Sequence, residues 1–468
     1  MAKRVIDNLT ELSVIRGQIN DNFTELYASS GGKLLTIAGS DVAAAFAEKC
    51  NLLLTGTGDN IAINEFLDDY TDGIYTVKFF GTINGSGYLY KRLNHNWDGY
   101  CAVIKMLPDL LSADYIAGIL PLSGDHKYTY IKGFELDGNI DNNDEIVGNV
   151  YSCGLTYDIY DSFTPTARTI AYNIICEDIY SHDWLRSCFL PGPGWVCNNI
   201  KLENSKGDHL LYISGAGNIT MNNVYLSGYC NGTGALHISG SNPLLSPLAP
   251  ENITINNLTF DEVVTTEGTH LHIRGTFLSN GEMVMPCKNV NIRNVYIKNS
   301  TPHYGNIIAV GHQWDTGGAG GLCENINIEG INVDLPLNPQ GWNYAFGYIM
   351  RARNVKISGN FNLKDNDAAK TVFELLGGGI GRNNYDFSGC DFLIENYTNL
   401  GINCAAFGIK DDQDIVGINI SNVKITGADV FRRVTGTTAK IINLNKTGAV
   451  CNKIYNPDSI VVETTNEI

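Results

Sequence analysis

The sequence has few charged side chains and no long apolar run. Asp, Glu, Lys and Arg make up 17% of its 468 residues, against about 25% in an average protein. It contains no apolar stretch of about 18 residues, which is the length that a membrane-spanning helix needs. Its first residues also lack the apolar core of a signal peptide. These absences argue against membrane insertion and against ordinary secretion.

Positive charge is especially scarce. The chain carries 32 Lys and Arg against 49 Asp and Glu, which gives a formal net charge of -17 and a sequence pI near 4.9. A surface this acidic repels nucleic-acid phosphates and anionic lipids. We therefore expect no nucleic-acid partner.

The familiar signatures of metal and cofactor sites are also missing. The 12 cysteines are spread singly from Cys50 to Cys451, without a CxxC pair or a Cys/His cluster of metal-binding spacing. No Walker-type phosphate loop, GxSxG elbow or HExxH helix occurs. We expect buried thiols that pack as small hydrophobes, with disulfides or metal ligation as the alternative. We expect no metal and no cofactor.

Glycine and asparagine are abundant instead, with 50 Gly and about 50 Asn. One phrase recurs, in which Asn followed by Ile or Val opens a short run of alternating apolar residues. Clear copies are NITMNNVYLSG, NITINNLTFDE, NVNIRNVYIKN, NINIEGINVDL and INISNVKITGA, with a degenerate copy in DFSGCDFLIEN. They return about every 19 to 37 residues apart from one longer gap, and such periods are typical of solenoids.

Alternation with a period of two predicts strands and excludes a helical repeat. Successive coils would stack their strands in parallel about 4.8 Å apart, with Ile, Val, Leu and Phe inside. Asn at a bend tolerates left-handed backbone angles and can bond along the stack. We predict an all-β parallel β-helix, or solenoid. An antiparallel β-sandwich or propeller is the alternative, which the scarcity of two-residue hairpin turns disfavours.

Residues 4–27 have a heptad pattern that predicts a short N-terminal α-helical coiled coil. The seam consists of Val5, Leu12, Ile19 and Leu26 at d and of Leu9, Arg16 and Phe23 at a. Three to four heptads are too few for a stable isolated helix, so this helix needs partners. The alternative is an amphipathic helix that folds back on its own domain.

The chain divides into four parts on this pattern. Residues 1–30 form a coiled-coil stalk or attachment helix, and residues 31–129 form an N-terminal cap or neck module. Residues 130–445 form the parallel β-helix. Residues 446–468 form a C-terminal cap or tail.

A further strand recurs between the Asn phrases: LLYIS, ALHIS, HLHIR, IIAVG, VFELL, AFGIK and VFRRV. Because side chains alternate along a strand, the residue between two apolar ones points outward. We predict a long open groove suited to an extended polar polymer such as a polysaccharide. Its substrate-binding candidates are Tyr212, His237, His270, His272 and Arg432, with Trp314 in a Gly-rich loop. A solvated scaffold row is the alternative.

Four carboxylates are the catalytic candidates: Asp183, Asp208, Glu267 and Glu374. Asp183 and Asp208 precede strands of neighbouring coils. Two acids that close would favour one protonated and one ionised member, which is the arrangement that glycoside hydrolysis uses. Aspartates in such places also serve as ordinary turn residues.

The phrase IRGQINDNFTELY within residues 4–27 resembles the opening of many bacteriophage tail-fibre and tailspike proteins. With the repeats, the chain resembles phage tailspikes that have a pectate-lyase-like, right-handed parallel β-helix. This resemblance implies a homotrimer, made in the host cytoplasm and located on the virion as a tail or other surface spike. It implies attachment to the phage tail or virion through the N-terminal helix, and binding of a host surface polysaccharide, either capsule or O-antigen.

Whether the glycan is also cleaved stays open, since the DVxxFGAxGDG phrase that often begins such β-helices is absent and no acidic set matches residue by residue. An endo-acting depolymerase of the hydrolase type would use two of the four carboxylates. A lyase would use His237 or His272 as the base beside a uronate held by Arg432. A non-catalytic adhesin or structural spike is the alternative. The net charge of -17 favours a neutral or weakly charged glycan.

Overall fold

The structure is a computed structural model. It describes residues 33–108, 115–127, 129–143, 151–157, 170–207, 209–231, 234–239, 249–265, 268–277, 283–302, 306–311, 322–334, 346–364, 371–377, 382–395, 405–410, 414–426, 429–435, 439–445, 460–462 and 465–466. The predicted coiled coil of residues 1–30 lies outside these described residues.

The described residues are mostly strand. In the first half of the chain the strands are β1 (Leu34–Ala38), β2 (Leu52–Leu53), β3 (Tyr75–Phe80), β4 (Thr82–Gly85), β5 (Leu89–Lys91), β6 (His95–Met106), β7 (Tyr115–Pro121), β8 (Gly124–Asp125), β9 (Tyr130–Asp137), β10 (Tyr151–Thr156), β11 (Ala171–Tyr172), β12 (Ile175–Trp184), β13 (Ser187–Leu190), β14 (Val196–Ser205), β15 (His209–Ser214), β16 (Ile219–Cys230) and β17 (Gly234–Ser239).

The second half continues with β18 (Glu251–Thr265), β19 (Thr269–Arg274), β20 (Thr276–Phe277), β21 (Met283–Met285), β22 (Cys287–Lys298), β23 (Thr301–Pro302), β24 (Ile308–Val310), β25 (Cys323–Asp334), β26 (Gly347–Met350), β27 (Ala352–Lys364), β28 (Thr371–Leu376), β29 (Arg382–Asp386), β30 (Asp391–Glu395), β31 (Ala405–Lys410), β32 (Ile415–Asn419), β33 (Lys424–Thr426), β34 (Asp429–Thr435), β35 (Ala439–Asn445), β36 (Ile460–Val462) and β37 (Thr465–Asn466).

These strands form two long sheets, which we call sheet A and sheet B. Over the described ranges sheet A has 21 strands and sheet B has 12. The described strands pair in parallel, except for the short antiparallel pair of β20 and β21. The chain alternates between the sheets, so that β16 pairs with β18 in sheet A while β17 pairs with β19 in sheet B. Pairing with the next-but-one strand is the winding of a solenoid, and the predicted parallel β-helix is confirmed.

Alternation along each strand sends one set of side chains into the space between the sheets. In sheet B the inward residues Leu211, Leu236, Leu271 and Ile308 are in register and have no exposed surface. In sheet A the inward residues Ile219, Ile253 and Val290 do the same. Fully burying one such side chain contributes about 1.5–3 kcal/mol, so the stacked coils share one continuous apolar core.

The long strands of sheet A bend at residues with left-handed backbone, which return every five residues. Around β16 they are Asn218, Asn223 and Gly228, with φ of 57, 56 and 76 degrees. Few residue types besides Gly and Asn adopt this conformation readily. Stacked Asn side chains bond from coil to coil: the chain Asn384, Asn354, Asn325, Asn289, Asn252 and Asn218 donates amide to carbonyl oxygen at 2.8–3.0 Å. The predicted Asn ladder is confirmed.

The coils begin earlier than the boundary predicted at residue 130. Strand β1 pairs in parallel with β3, β3 with β6, and β6 with β9. Strands β1, β3 and β6, which lie in the predicted cap or neck module, are therefore coils of the same ladder. At the other end β35 pairs with β36 and β37, beyond the predicted end at residue 445.

Helices are few in the described part. They are α1 (Ala44–Ala47), α2 (Asp59–Asp68) and a short 3-10 turn at Ile140–Asn142. Helix α1 falls within the sequence run SDVAAAFAEKCN, for which the pattern predicts a helix. None of the described helices combines the length and hydropathy that a membrane crossing requires.

Candidate functional site

The outward column predicted on sheet B has the predicted register. Tyr212 lies opposite His237, His237 opposite His272, and His272 opposite Ala309. The column continues through Tyr348, Glu374, Gly408 and Arg432. Tyr348, in strand β26 (GYIM), is a member that the sequence alignment missed.

His237 and His272 are buried in the outward column of sheet B, so both are corrected as surface ligand-binding candidates. They are 1% and 5% exposed. Their rings stack at 4.9 Å and 6 degrees, and His237 also stacks on Tyr212 at 5.2 Å. In-register strands bring these flat side chains face to face.

Hydrogen bonds tie these rings into a chain. His209 Nδ1 lies 2.7 Å from the Gly234 carbonyl oxygen and donates to it, which leaves its Nε2 to accept from His237 Nδ1 at 3.1 Å. His272 Nε2 lies 3.1 Å from the Gly311 carbonyl oxygen. A buried chain of this kind stabilises the stack of coils and does not present free imidazoles to a ligand.

His270 is also corrected, since it lies in the interior. It is 0% exposed and packs on the core residue Phe260, with ring centroids 5.8 Å apart. Burial lowers the pKa of His270 to about 3, so it is neutral near pH 7. A residue enclosed in this way cannot contact a glycan on the surface.

The remaining candidates have separate outcomes. Asp208, Glu267 and Trp314 lie outside the described residues, as does the side chain of Arg432. Tyr212 is half-buried, and its hydroxyl lies 3.2 Å from Ser239 Oγ. Glu374 is half-buried two strands along the sheet from Ala309. The described residues therefore do not bring Glu374 and Asp183 together, because Asp183 lies on sheet A.

Asp183 instead belongs to a polar cluster on the outer face of sheet A. Its neighbour His182 pairs in register with Asp137 of β9 on one side and with Glu203 of β14 on the other. Two residues earlier, Tyr180 lies between Glu135 and Lys201 in the same way. We call these seven residues the β9–β14 cluster: Glu135, Asp137, Tyr180, His182, Asp183, Lys201 and Glu203.

His182 is held at the centre of this cluster by two carboxylates. Its Nδ1 lies 2.7 Å from Asp183 Oδ2, and its Nε2 lies 3.3 Å from Glu135 Oε1. The side chain of His182 is 13% exposed, while those of Glu135 and Asp183 are 41% and 34% exposed. The ring is thus enclosed, with its carboxylate partners on the open side.

The pKa values of His182 and Asp183 are shifted in opposite directions. Burial opposes protonation of His182, but the hydrogen bond to Asp183 and the charges of Asp137 and Asp183 raise its pKa above the ordinary value. The hydrogen bond from His182 and another from Asn204 lower the pKa of Asp183, against the opposing effect of burial. The environment therefore pushes the pKa values of these two neighbouring groups apart, as it does for the acid and base of many active sites.

The donor atoms of Asp137, His182 and Asp183 lie within 4.8 Å of one another, close enough for three ligands to share a cation. Each is already engaged. Lys105 Nζ lies 2.7 Å from Asp137 Oδ2, and Asn204 Nδ2 donates to Asp183 Oδ1 at 2.9 Å. These contacts satisfy the carboxylates without a metal, so we assign none to the cluster.

The outer face of sheet A continues from the cluster across the later coils. Glu203 and Lys201 are followed in register by Ser227 and Tyr225, then by Asp261 and Thr259, and then by Lys298 and Tyr296. Tyr296 is 48% exposed. This face therefore offers accessible aromatic and charged groups, such as Tyr296 and Lys298, along the solenoid.

Sequence reasoning found Asp183 but missed Glu135, Asp137 and His182. The signal that identifies them is the alignment of FELD, IYSH and IKLE in consecutive coils, since each has two polar residues separated by a buried one. The Asn phrases set the alignment of the later coils, and β9 precedes the first of them.

Comparisons with known proteins give distant structural likenesses. No family model matches the chain, and a search of curated proteins finds no match. The mannuronan C-5 epimerase A-module of Azotobacter vinelandii is 12% identical, with a TM-score of 0.43, covering 87% of this chain and 97% of that chain.

Two further structures are comparably distant. The catalytic unit of a thermostable α-1,3-glucanase from Streptomyces thermodiastaticus is 14% identical, with a TM-score of 0.40, covering 88% of this chain and 66% of that chain. A protein of Geobacillus virus E2 is 11% identical, with a TM-score of 0.26, covering 100% of this chain and 66% of that chain. We transfer neither an activity nor a residue role from likenesses at this level.

Proposed function

We propose that this chain is a phage tailspike-type protein that binds a host surface polysaccharide along the outer face of sheet A and cleaves it at the β9–β14 cluster. The observation that carries this proposal is the position of His182, whose ring nitrogens lie 2.7 Å from Asp183 Oδ2 and 3.3 Å from Glu135 Oε1 and whose pKa is raised despite burial. Groups whose environments push their pKa values apart mark the acid and base of many active sites.

The reaction that fits best is hydrolysis within the glycan chain. His182 Nε2 donates its proton to the glycosidic oxygen as the bond between that oxygen and the anomeric carbon breaks. Water adds to the anomeric carbon, and Glu135, the most exposed carboxylate of the set, accepts the proton that water gives up. Asp183 holds the imidazole in its orientation from the other side.

We choose a histidine as the general acid because the neighbouring carboxyl groups are ionised. The pKa of Glu203 is lowered by hydrogen bonds from Lys201 and Tyr180 despite burial, and that of Asp261 by Lys298 and Tyr225 despite burial. These groups are ionised at neutral pH and cannot supply a proton. The pKa of His182 is raised instead: burial opposes protonation, but the hydrogen bond to Asp183 and the charges of Asp137 and Asp183 outweigh it.

The direct test is incubation of the full chain with capsule and lipopolysaccharide extracted from a panel of host bacteria. We expect new reducing ends and shorter polymer with one of them. Reducing ends accompanied by ultraviolet absorbance of an unsaturated uronate would indicate a lyase instead. Unchanged polymer length across a panel to which the protein binds would contradict cleavage.

Binding without cleavage is the second candidate, and the ion pairs of the cluster favour it. Lys105 lies 2.7 Å from Asp137, and Lys201 lies 3.0 Å from Glu203. Carboxylates neutralised in this way can orient sugar hydroxyls without taking part in bond breaking. An adhesin would bind one polysaccharide of the panel and leave its length unchanged.

Assembly and location form the last part of the proposal. The heptads of residues 4–27 support a homotrimeric stalk that attaches the protein to a phage tail or virion. Light scattering of the full-length protein should give three times the chain mass of 51.1 kDa. A monomeric mass would contradict the trimer without affecting the proposed chemistry of the β9–β14 cluster.

A further inference from the structure

We propose that Tyr180, held by Glu203 and Lys201, is a positioning residue for His182. The inference rests on the proposed function, because it explains how that cluster keeps its imidazole in place. Tyr180 and His182 are two residues apart in β12 and both point outward. Their rings stack with centroids 4.5 Å apart and an interplanar angle of 27 degrees.

Tyr180 is itself held by groups from the next coil. Its hydroxyl donates to Glu203 Oε2 at 2.9 Å, and Lys201 Nζ lies 3.0 Å from the same oxygen. Lys201 Nζ also lies 4.1 Å from the centroid of the tyrosine ring. The ring is thus enclosed between an ammonium group and an imidazole, and its rotation is opposed from both faces.

The stack matters because the hydrogen bonds of His182 depend on the angle of its ring. Nδ1 reaches Asp183 on its own strand and Nε2 reaches Glu135 on β9, so both bonds require one orientation. A flat partner at 4.5 Å favours that orientation over rotated ones. Without it, the imidazole can turn and lose the carboxylates that raise its pKa.

In the described structure, the charged or titratable groups that face His182 lie on its own strand β12 and on the neighbouring strands β9 and β14, or contact a residue of these strands. They are Tyr180 and Asp183 on its own strand, Glu135 and Asp137 on β9, Lys201 and Glu203 on β14, and Lys105 of β6, which bonds Asp137. Removing the tyrosine ring changes none of these charges. Uncovering the imidazole would by itself raise its pKa, because burial opposes protonation. A lowered midpoint of His182 would therefore report the loss of its carboxylate contacts.

The chain offers a matched control in the same columns of sheet A. Tyr225 donates to Asp261 Oδ2 at 2.7 Å, and Lys298 Nζ lies 2.9 Å from the same oxygen. This Tyr, carboxylate and Lys group lies two coils from Tyr180 along the outer face of sheet A. It has the same Tyr–carboxylate and Lys–carboxylate contacts, and among the described residues no histidine stacks on its ring.

The experiment is an NMR titration of the His182 imidazole in the full chain, comparing wild type with Tyr180→Leu, Tyr180→Phe and Tyr225→Leu. We expect Tyr180→Leu to lower the midpoint of His182 toward its ordinary value. Tyr180→Phe, which keeps the flat ring, should restore the wild-type midpoint. Tyr225→Leu should have no effect. If Tyr180→Leu does not fold, Tyr180→Met takes its place under the same criteria.

Two results would overturn the inference. One is an unchanged midpoint in Tyr180→Leu, and the other is an equal shift in Tyr225→Leu, which would show a general effect of losing a surface tyrosine. These readouts do not require enzymatic activity, so absence of glycan cleavage would count against the proposed function alone. Where cleavage occurs, Tyr180→Leu should lower kcat by about tenfold and leave KM within about twofold.

Discussion

The outer faces of the two sheets carry similar residue types and use them differently. On sheet B, Tyr212, His237 and His272 stack in register and the two histidines are buried. On sheet A, Tyr180 and His182 also stack, yet carboxylates with 41% and 34% exposed side chains border the imidazole. A row of polar rings on a solenoid can therefore be buried scaffold, as on sheet B, or a site, as we propose for sheet A. The two cases differ in whether water-exposed carboxylates border the rings.

The largest expected effect contrasts one histidine from each face. His182→Ala should reduce glycan cleavage by about 10²–10⁴-fold, because it removes the proposed proton donor. His237→Phe replaces a ring in the buried stack of sheet B, so it should retain cleavage within a few-fold of wild type. Release of reducing ends from the cleaved polysaccharide measures both. Loss of activity in His237→Phe with retention in His182→Ala would reverse the assignment of the two faces.

For the free energy of unfolding we expect the opposite order: substitution of His237 should cost more than substitution of His182. His237→Ala removes a 1% exposed ring and leaves His209 Nε2 without its donor. We expect a loss of about 2–4 kcal/mol from the cavity and the unmet hydrogen bond. His182→Ala lies at the surface and should cost less. Thermal unfolding followed by circular dichroism compares them, and a larger loss in His182→Ala would contradict a structural role for the sheet B rings.

Sheet A depends on amide ladders where sheet B depends on rings. Asn223 has left-handed backbone, donates to Asn199 at 2.9 Å and accepts from Asn257 at 2.9 Å. Asn223→Ala should cost about 1–3 kcal/mol from backbone strain and lost bonds. Asn223→Gly also loses the hydrogen bonds but avoids the backbone strain. Chemical denaturation should therefore give a smaller loss of unfolding free energy for Asn223→Gly than for Asn223→Ala. Equal losses would show that the left-handed angle contributes nothing.

The smallest expected effect is the pH dependence of stability at the β9–β14 cluster. The folded pKa of His182 is raised above 6.5, so its stabilising contribution is complete below that value and is lost as pH rises through the folded pKa. The contribution of Asp183, whose folded pKa is lowered, is present above its ordinary value and is lost as pH falls through the folded pKa. The thermal midpoint of wild type relative to His182→Gln should therefore decline as pH rises from about 6 to 9.

A difference between these two proteins that stays constant or grows over this range would contradict the charged state of His182. Asp261→Asn serves as the control, since Asp261 has a comparable surface ion pair with Lys298 but no histidine contact among the described residues.

The sequence was sufficient to predict the parallel β-helix because its repeats indicate where the backbone bends and which side chains point inward. Asn at bends and apolar residues every second position require stacked parallel coils, and the register of Tyr212, His237 and His272 followed from alternation alone. The first coils were missed because the Asn phrase is absent there. Glu135 and Asp137 lie in β9, inside the predicted β-helix but ahead of the aligned Asn phrases, so the sequence did not place them beside His182.

Exposure was the property that alternation could not predict. Pointing away from the core is a matter of register, whereas contact with water depends on what lies over the face, and His237 and His272 point outward but are buried. His270 shows the same limit, since its place at the start of β19 packs it against Phe260. Asp183 was identified as an acid of interest, but its partners come from coils whose alignment only the strand pairing gives.

The central claim is that glycan binds over the β9–β14 cluster, and a structure with bound oligosaccharide tests it most directly. Glu135→Gln should slow hydrolysis enough to retain a fragment of the polysaccharide that the protein recognises. We predict a sugar on the outer face of sheet A, with a glycosidic oxygen about 2.6–3.2 Å from His182 Nε2. A sugar bound over Tyr212 and Tyr348 of sheet B, with the β9–β14 cluster empty, would contradict the account.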